Sequence, residues 1–255
     1  MSFTDEEIAA VLRHHEIAEA SHRILNPLVE GQLRLLGEVA GIGPGTRILD
    51  LACGKAEMLC RWAEWFGASG VGVDLSHVFT AAARERADEL GVASRVSIHQ
   101  GDAADFQPVH GAYDIASCLG ATWIGNGIVG TIELLKPAVR PGGLVLVGEP
   151  FLLEPAPPEA FAAWGFDEGE YLDLAGTLDR LESAGVELLE MVMADHHSWD
   201  RYEASQWVTV AEWLAANPDD PEHDAMARFL DENRRTYLTW GRRYLGWGVF
   251  VTRPR

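Results

Sequence analysis

Cysteine is scarce in this sequence, and its few cysteines follow no recognisable pattern. The chain of 255 residues contains three of them, Cys53, Cys60 and Cys118. They are too few and too odd in number for a disulfide framework, and no two stand as Cys-x-x-Cys. Metal-binding spacings are missing as well, because His14–His15 and His196–His197 are adjacent pairs whose side chains diverge on a helix or strand. We therefore expect reduced cysteines and no metal site.

Basic residues are few compared with acidic ones. Lys plus Arg number 20 against 39 Asp plus Glu, which gives a formal net charge of −19. Such a surface repels phosphate backbones and anionic membranes. The nearest approach to a basic patch is a group of four arginines, Arg234, Arg235, Arg242 and Arg243, which is more typical of a solvated helix face. We expect a small neutral or cationic substrate and no nucleic-acid or membrane partner; the oligomeric state is left open.

An apolar run of about 18 residues, the length that spans a bilayer, is also missing. The first ten residues, MSFTDEEIAA, are acidic and lack the basic segment followed by an apolar segment that marks a signal peptide. These absences predict a cytoplasmic protein. Apolar residues nevertheless make up 47% of the chain, which is enough for the core of one large α/β domain.

Short apolar runs alternate regularly with helical segments between residues 46 and 150. Five strands are predicted there, at residues 48–51, 71–73, 96–98, 113–117 and 144–147. Helical patterns that stop at glycine or proline separate them. A sixth strand is predicted at residues 186–194, and a last one at 245–252 is expected to enter the sheet antiparallel. The pattern is typical of an α/β fold with a doubly wound, mostly parallel, seven-stranded sheet.

The flanking segments complete the predicted architecture. Residues 1–45 should form a helical cover with helices at about 4–20, with Thr4 as N-cap, and at 27–40. Residues 151–255 should hold insertion or lid helices and the final strands of the same domain. Within that part, Asp200 and Glu203 have the spacing of a capping box for one helix. Another helix is expected to start near Pro221, behind Asp220.

Three carboxylates follow three successive predicted strands: Asp50, Asp74 and Asp102. An acid after the second strand is well placed to accept both hydroxyls of a ribose, and Asp74 stands 24 residues after Asp50 (74 − 50), close to the spacing of that role. Asp102 is placed to accept from the exocyclic amine of a base. Each acid alone is more simply a helix N-cap. Together with the small-residue turn at 52–56, the three predict a nucleoside-shaped site.

Five motifs resemble, in order and spacing, those of class I S-adenosylmethionine-dependent methyltransferases. They are DLACGKA at 50–56, GVGVDLS at 70–76, GDAADF at 101–106, YDIASCLGATW at 113–123 and RPGGLVLVGEPF at 140–151. Five motifs over residues 46–150 are far more specific than one glycine-rich turn. The family's first motif has glycines where this chain has Ala52 and Ala56. The added methyl groups should be tolerated if φ is negative at both residues.

The resemblance implies a Rossmann-like methyltransferase fold, with residues 46–150 as the cofactor-binding core and S-adenosylmethionine as the cofactor. The implied cofactor-binding residues are Asp50, Ala52, Cys53, Gly54, Asp74, Leu75, Asp102, Ala103 and Cys118. By the same resemblance, Asp50 and the turn would line the methionine part, Asp74 the ribose, and Leu75, Asp102 and Ala103 the adenine. Cys118 would lie near the sulfonium with Leu119 and Gly120. His22 and Arg23 are weaker candidates for the cofactor's carboxylate, since each is more simply a surface charge.

The methyl acceptor is expected between the loop after the fourth strand, the end of the fifth strand and the later helices. Aromatic faces suit a flat or cationic acceptor, and the candidates for this pocket are Trp123, Phe151, Trp164, Trp199 and Tyr202. The candidates for a general base are His196, His197, His14 and Glu149. A lone histidine is more often a hydrogen-bonded structural residue. Since no histidine is placed to activate Cys53 or Cys118, we interpret both as compact residues beside the site.

The sequence therefore predicts a methyltransferase that acts on a small molecule by in-line transfer, with the protein aligning the reactants in a dry pocket. A non-catalytic protein that binds S-adenosylmethionine as a sensor or structural ligand would carry the same cofactor motifs. An NAD(P)-dependent oxidoreductase would share the sheet and the acid after the second strand. It would need Gly-x-Gly-x-x-Gly, and Glu57 at the third glycine position would repel a pyrophosphate.

Overall fold

The computed structural model describes residues 5–255, with side chains from residue 9 onward, so the predicted N-cap Thr4 lies outside the described residues. A seven-stranded sheet has the order β3-β2-β1-β4-β5-β7-β6. Its strands are β1 (Arg47–Leu51), β2 (Ser69–Asp74), β3 (Val96–Gln100), β4 (Tyr113–Leu119), β5 (Val139–Leu152), β6 (Val186–Met193) and β7 (Leu245–Pro254). Strands β1 to β5 pair in parallel, and β7 is antiparallel to both β5 and β6. The predicted doubly wound, mostly parallel seven-stranded sheet is confirmed.

Helices connect and cover the strands. They are α1 (Asp5–Ala18), α2 (Glu30–Val39), α3 (Glu57–Phe66), α4 (His77–Glu89), α5 (Ile128–Leu135), α6 (Pro158–Trp164), α7 (Leu174–Ser183), α8 (His196–Ala216), α9 (His223–Thr236) and the short α10 (Arg242–Tyr244). Short 3₁₀ segments at Thr122–Gly125 and Lys136–Ala138 flank α5, and a π-helical turn at Tyr237–Gly241 joins α9 to α10. Within the described part of the chain, no helix has the length and apolar composition that crossing a membrane requires.

Each face of the sheet is buried by its own set of helices. On one face, Leu36 of α2 and Trp62 of α3 pack in the same cluster as Ile48 of β1. On the other face, Ile132 of α5 packs in the cluster that contains Leu49. Successive residues of a strand point to opposite faces of the sheet, and both faces are buried here. Ile48 and Leu49 must therefore both be apolar. This explains why the central strands appear in the sequence as unbroken apolar runs.

A third layer is formed by α1, α8 and α9. Ile17 and Ala18 of α1 are buried together with Val210 of α8 and with Met226 and Leu230 of α9. From here on, the cover means α1 and the residues 19–28 that follow it. The second helix of the predicted cover at 1–45, α2, packs on the sheet instead. Through this small apolar cluster the cover is joined to α8 and α9, which come some 180 residues later in the chain.

The start of α8 differs from the prediction. Asp195 and Ser198 form the capping box: the Asp195 carboxylate accepts from the Ser198 N–H at 2.7 Å, and Ser198 Oγ accepts from the Asp195 N–H at 3.1 Å. Asp200 and Glu203, predicted for these positions, lie inside the helix, where Asp200 pairs with Arg242. Both pairs have the three-residue spacing of a capping box, so the motif alone could not separate them.

A crevice opens where the strand order reverses. Strand β4 pairs with β1, although β2 and β3 stand between them in the chain. The connections after β1 and β4 therefore leave the sheet in opposite directions, and ligands of doubly wound folds bind at the carboxyl ends of the strands at such a point. The predicted acids Asp50, Asp74 and Asp102 all stand at or just past strand ends at this edge.

Candidate active site

The turn after β1 holds three residues in the left-handed region. Ala52, Gly54 and Ala56 have φ values of 56°, 55° and 51°. The condition under which the two alanines were expected to be tolerated, a negative φ at both, is therefore not met. A Cβ in this region costs about 1–2 kcal/mol, so the turn keeps a glycine-type backbone at the expense of strain. At Gly54 a side chain is disfavoured by the positive φ and also by lack of space, because an added Cβ would lie 2.6 Å from Leu25 Cδ1 of the cover.

Asp74 fastens this turn to the end of β2. Its Oδ2 accepts from the Gly54 N–H at 2.7 Å, and its Oδ1 accepts from the Ser76 N–H at 2.9 Å. Burial raises the pKa of Asp74, and these two hydrogen bonds oppose the rise because they favour the charged form. A carboxylate oxygen can accept two hydrogen bonds. Asp74 can therefore hold the turn and still accept from a pair of ligand hydroxyls.

Asp50 is a buried residue of β1, beside β4 in the sheet. Its Oδ1 accepts from Ser117 Oγ at 2.7 Å, and the two residues are partners in the strand register. Burial raises the pKa of Asp50 to about 7; the Ser117 hydrogen bond lowers it, and the charge of Asp74 raises it. Near neutral pH the carboxyl group is thus poised between its two forms. A cationic group bound here would complete its ionisation.

The remaining predicted cofactor residues lie along the same edge. Leu75 follows Asp74 and is 44% exposed, so its side chain offers a free apolar surface. Asp102 is exposed past β3, and its Oδ1 accepts from the Ala104 N–H at 2.8 Å. Ala103 beside it is buried. Since β3, β2 and β1 are neighbours in the sheet, the acids after them line one continuous edge.

Neither predicted cysteine of this edge favours the thiolate. Burial raises the pKa of the Cys53 thiol well above its usual range, and the charges of Asp50 and Asp74 raise it further. Burial and the Asp50 charge act on the pKa of Cys118 in the same direction. Because the thiolate is the reactive form, these residues are not set up as nucleophiles.

Lys55, which sequence analysis did not select, joins the turn to the cover. Its side chain is buried, and its ammonium donates to the carbonyl oxygens of Glu19 at 2.8 Å, Ala20 at 3.0 Å and His22 at 2.7 Å. These carbonyls lie just past the C-terminal end of α1, where the helix dipole is negative and a cation is favourable. Lys55, which lies in the turn between Gly54 and Ala56, thus caps the C-terminal end of α1.

A buried polar network continues from this point to α8. The Glu19 carboxylate is 1% exposed, and it accepts from Tyr202 Oη at 2.5 Å and from Gln206 Nε2 at 2.7 Å. The imidazole of His22 contacts Glu19 through Nδ1 at 2.6 Å and Ser205 Oγ through Nε2 at 2.5 Å. The cover, α8 and the turn after β1 are therefore held together by hydrogen bonds.

The predicted histidines and Arg23 are engaged elsewhere. Both ring nitrogens of His22 are occupied within the network, which leaves neither for a cofactor carboxylate, and Arg23 lies 3.5 Å from Glu89. His14 Nε2 is 2.5 Å from Glu222 Oε2 at the start of α9. His196 lines a separate cavity of about 460 Å³ with Arg242 and Arg243, and His197 is exposed in the first turn of α8.

The five aromatic residues predicted for the acceptor pocket do not come together. Trp123 lines a cavity at the end of β4, whereas Phe151 is buried in the core of the sheet. Trp164 packs within an aromatic cluster of α6 and the residues after it. Trp199 and Tyr202 lie on α8, where Tyr202 belongs to the network around Glu19.

The cavity that Trp123 lines measures about 490 Å³ and lies beside the ends of β4 and β5. The polar and aromatic side chains on its walls are those of Thr122, Trp123, Asn126, Glu149, Glu170, Tyr171 and Arg180. The first three come from the loop after β4, Glu149 from β5, and the others from the segment before α7 and from α7 itself. Of these residues, only Trp123 and Glu149 were predicted from the sequence.

Glu149 is the buried acid of this cavity. It is 2% exposed, and its Oε2 accepts from Thr122 Oγ1 at 2.9 Å. Burial raises the pKa of Glu149 to about 7, and the Thr122 hydrogen bond and the charge of Arg180 oppose the rise. Burial and the charges of Glu149 and Glu170 also raise the pKa of Tyr171 to about 12. Of the four predicted bases, Glu149 is the one that faces this cavity.

The described residues contain no group of three or more His, Cys, Asp or Glu side chains arranged to hold a metal ion. The groups that the structure places at the carboxyl edge and in the cavity are buried carboxyl groups, backbone amides in the turn and aromatic faces. The acids of the nucleoside-type edge lie at the ends of β1, β2 and β3, and the cavity beside Glu149 lies at the ends of β4 and β5, which continue the same sheet from β1.

A family model for a methyltransferase domain matches residues 48–143. The uncharacterized protein YjhP of Escherichia coli K12 is 44% identical, over 92% of this chain and 95% of its own length.

Two solved structures of S-adenosylmethionine-dependent methyltransferases, both in complex with S-adenosyl-L-homocysteine, are similar throughout. The one from Geobacter sulfurreducens is 43% identical with a TM-score of 0.91, over 95% of this chain and 98% of that chain. The one from Thiobacillus denitrificans is 40% identical with a TM-score of 0.90, over 100% of both chains. The likeness therefore extends well beyond residues 48–143, to the cover and the later helices.

Proposed function

Because the chain belongs to the class I S-adenosylmethionine-dependent methyltransferases, and is thus an enzyme with S-adenosylmethionine as its cofactor, we propose that it methylates a small molecule bound in the cavity beside Glu149. The observation that carries the proposal is the position of this cavity. Leu119 pairs with Gly148 in the register of β4 and β5, and the Gly120 N–H donates to the Gly148 carbonyl at 2.7 Å. Glu149 is therefore the next residue of β5 after Gly148, which is hydrogen-bonded to the segment that the resemblance places near the sulfonium.

The residues at the carboxyl edge fit the cofactor. Asp74 would hold the ribose hydroxyls, Asp50 and the backbone of Ala52, Cys53 and Gly54 the methionine part, and Leu75, Asp102 and Ala103 the adenine. One orphaned atom supports this fit: Asn26 Oδ1 in the cover is buried without a hydrogen-bond partner in the described residues. Asn26 faces Gly120, where an added Cβ would lie 4.0 Å from Asn26 Cβ. An unpaired buried acceptor costs about 1–3 kcal/mol, and a donor from the ligand would recover this cost.

The chain's own contribution to catalysis is alignment. When bound, the cofactor supplies an electrophilic methyl group that an acceptor in line with it can take. Asp74 and the strained turn fix one side of the site, and the Lys55 hydrogen bonds hold the cover over it. Positioning of two reactants in this way is the larger part of the catalysis available to such a site.

Size and charge support a small-molecule acceptor. A cavity of about 490 Å³ lies within the range of roughly 300–1,000 Å³ typical of small-molecule sites. The net charge of −19 disfavours a phosphate backbone as the acceptor. Both observations favour a metabolite over a nucleic acid.

The test is a methyl-transfer assay with S-adenosylmethionine carrying an isotopic label in its methyl group. The purified protein is incubated with cell extract divided into small-molecule, protein and RNA fractions, and label and S-adenosylhomocysteine are measured. We expect acceptor-dependent release of S-adenosylhomocysteine and label in the small-molecule fraction. Label confined to RNA or protein would refute the proposed acceptor class, and binding of the cofactor without turnover on any fraction would refute the proposed reaction.

A further inference from the structure

The buried carboxyl group of Glu149 is not in contact with any cationic side chain of residues 9–255, although the charge of Arg180 on the same cavity wall lowers its pKa. It forms no ion pair among residues 9–255, and its Oε1 accepts no hydrogen bond from them, whereas Oε2 is satisfied by Thr122. Burying a carboxylate without a partner is costly, so such a group either takes a proton or awaits a cation. Glu149 lines the cavity, and a ligand there can reach the open oxygen.

The walls around Glu149 suit a cation more than an anion. Trp123 is 68% exposed beside the cavity, and the Tyr171 hydroxyl takes part in no hydrogen bond among the described residues. Aromatic faces attract cations, and the exposed Glu170 adds negative charge at the same wall. The one cation of the lining is directed elsewhere: Arg180 Nη1 donates to the Glu170 carbonyl at 2.7 Å and Nη2 to the Gly169 carbonyl.

We propose that this cavity is a subsite for a protonated amine, and that the nitrogen of that amine is the atom the enzyme methylates. The inference rests on the proposed function, because it names the acceptor class of the same site. The ammonium group would donate to Glu149 Oε1 and lie against Trp123 and Tyr171. The overall negative charge of the chain favours approach of such a ligand.

The Glu149 carboxylate can also accept a proton from the bound ammonium group. An ammonium nitrogen has no lone pair and cannot act as a nucleophile. First an N–H bond breaks with its electron pair left on nitrogen, and an O–H bond forms on the Glu149 carboxylate. The nitrogen lone pair then forms the new N–C bond while the S–C bond breaks with its electron pair left on sulfur. The positive charge of the sulfonium thus passes to the methylated ammonium product, S-adenosylhomocysteine leaves as a neutral thioether, and charge is conserved. A carboxyl group with a pKa of about 7 takes up a proton near neutral pH far more readily than one at its usual value. Glu149 is then both the counter-ion and the proton acceptor of the acceptor amine.

The experiment compares three ligands that share one scaffold and differ in the polar head: phenethylamine, 2-phenylethanol and phenylacetate. Methylammonium serves as a fourth, minimal probe of the head group alone. Each is titrated calorimetrically into protein already saturated with S-adenosylhomocysteine. Saturation is measured first, so a failure of cofactor binding would count against the proposed function, whereas intact saturation without amine binding would count against this inference.

We expect phenethylamine to bind about tenfold or more tightly than its neutral and anionic analogues. Glu149→Gln keeps the size of the side chain and should abolish this preference. Glu168→Gln removes an exposed carboxylate that does not line the cavity, and it should retain the preference. Since the Glu149 carboxylate forms as pH rises through about 7, amine binding should strengthen between about pH 6 and pH 8 in the wild type and not in Glu149→Gln.

The inference is overturned if the alcohol or the acid binds best, or if the three heads bind equally. It is also overturned if the amine preference survives in Glu149→Gln, or if it is lost to the same extent in Glu168→Gln. Failure of both amines to bind at millimolar concentration would likewise overturn it, because methylammonium is small enough for any site that accepts an amine.

Discussion

Lys55 offers the most direct test of how the cover and the cofactor turn depend on each other. Lys55→Met keeps the length of the side chain and removes the ammonium group. The carbonyl oxygens of Glu19, Ala20 and His22 then lose their common donor. Because these carbonyls end α1, the substitution removes the cap of the cover helix without creating a cavity.

The expected magnitude follows from the three hydrogen bonds and their cost. A hydrogen bond from a charged donor contributes about 1.5–3 kcal/mol. Burial of the ammonium, which lowers the pKa of Lys55, offsets much of that gain. We expect a net loss of about 3 kcal/mol in the free energy of unfolding. Since Lys55 stands between Gly54 and Ala56 of the turn, the Kd for S-adenosylhomocysteine should rise about tenfold, or about 1.4 kcal/mol.

Three measurements and one control define the assay. Denaturant unfolding gives the stability, calorimetric titration gives the Kd, and hydrogen exchange reports on the α1 amides, which should exchange faster in Lys55→Met. Lys136→Met is the control, because Lys136 donates to the Ala184 carbonyl at 2.9 Å at the end of α7 and pairs with Glu133. It also caps a helix end but lies away from the turn, so its variant should lose stability without a change in Kd.

One outcome would refute the reasoning. If Lys55→Met loses stability while its Kd stays within about twofold of the wild type, as in the control, then Lys55 stabilises the fold but does not position the turn. Faster exchange throughout the molecule, rather than in α1, would point to the same conclusion.

Four further predictions follow from the site. Ala52→Gly relieves the strain of a positive φ and should raise the free energy of unfolding by about 1 kcal/mol in thermal melts, with cofactor affinity unchanged or improved; a loss of stability would contradict the strained turn. Burial raises the pKa of Glu149 from 4.5 to about 7. The protonated carboxyl group is therefore favoured in the folded state, and its contribution to stability is present at low pH and is lost as pH rises through about 7. Glu149→Gln should add about 2 kcal/mol to the free energy of unfolding at about pH 8 and little at about pH 5. Asp74→Ala should weaken S-adenosylhomocysteine binding by about 1.5–3 kcal/mol in calorimetry, and an unchanged Kd would remove Asp74 from the site. Trp123→Ala should leave that Kd unchanged but impair turnover on the acceptor, and equal losses of both would contradict its place in the acceptor cavity.

The sheet could be predicted because its signal is local. Parallel strands buried on both faces appear as short apolar runs between glycine-rich turns. The boundaries were less accurate where a turn signal lies inside a strand. Pro141, Gly142 and Gly143 predicted a turn before the fifth strand, yet β5 begins at Val139 and continues through them. Gly142 has a φ of 78°, and an added Cβ at Gly143 would meet the Asp114 carbonyl at 2.8 Å, so these glycines let an irregular strand pair closely with β4.

The cofactor edge could be predicted for the same reason, whereas the contacts around it could not. Asp50, Asp74 and Asp102 are each tied to a strand end that the sequence reveals. The Glu19 network joins residues 183 positions apart, such as Glu19 and Tyr202, and no local pattern records such a contact. The sign of φ at Ala52 could not be predicted, because the conformation of a turn depends on the groups that hold it, here Asp74 and Lys55.

Lysine occurs twice in the chain, at Lys55 and Lys136, and the two side chains have opposite environments. Lys136 is 28% exposed, whereas Lys55 is enclosed beneath the cover by three carbonyl groups. An acylating reagent can therefore reach Lys136 in the folded protein, whereas it would reach Lys55 only if α1 separated from the turn. The ratio of acylation at the two lysines, taken from one mass spectrum, would measure any such opening of the cover. Lys55 would be the reporter, and Lys136 the internal standard.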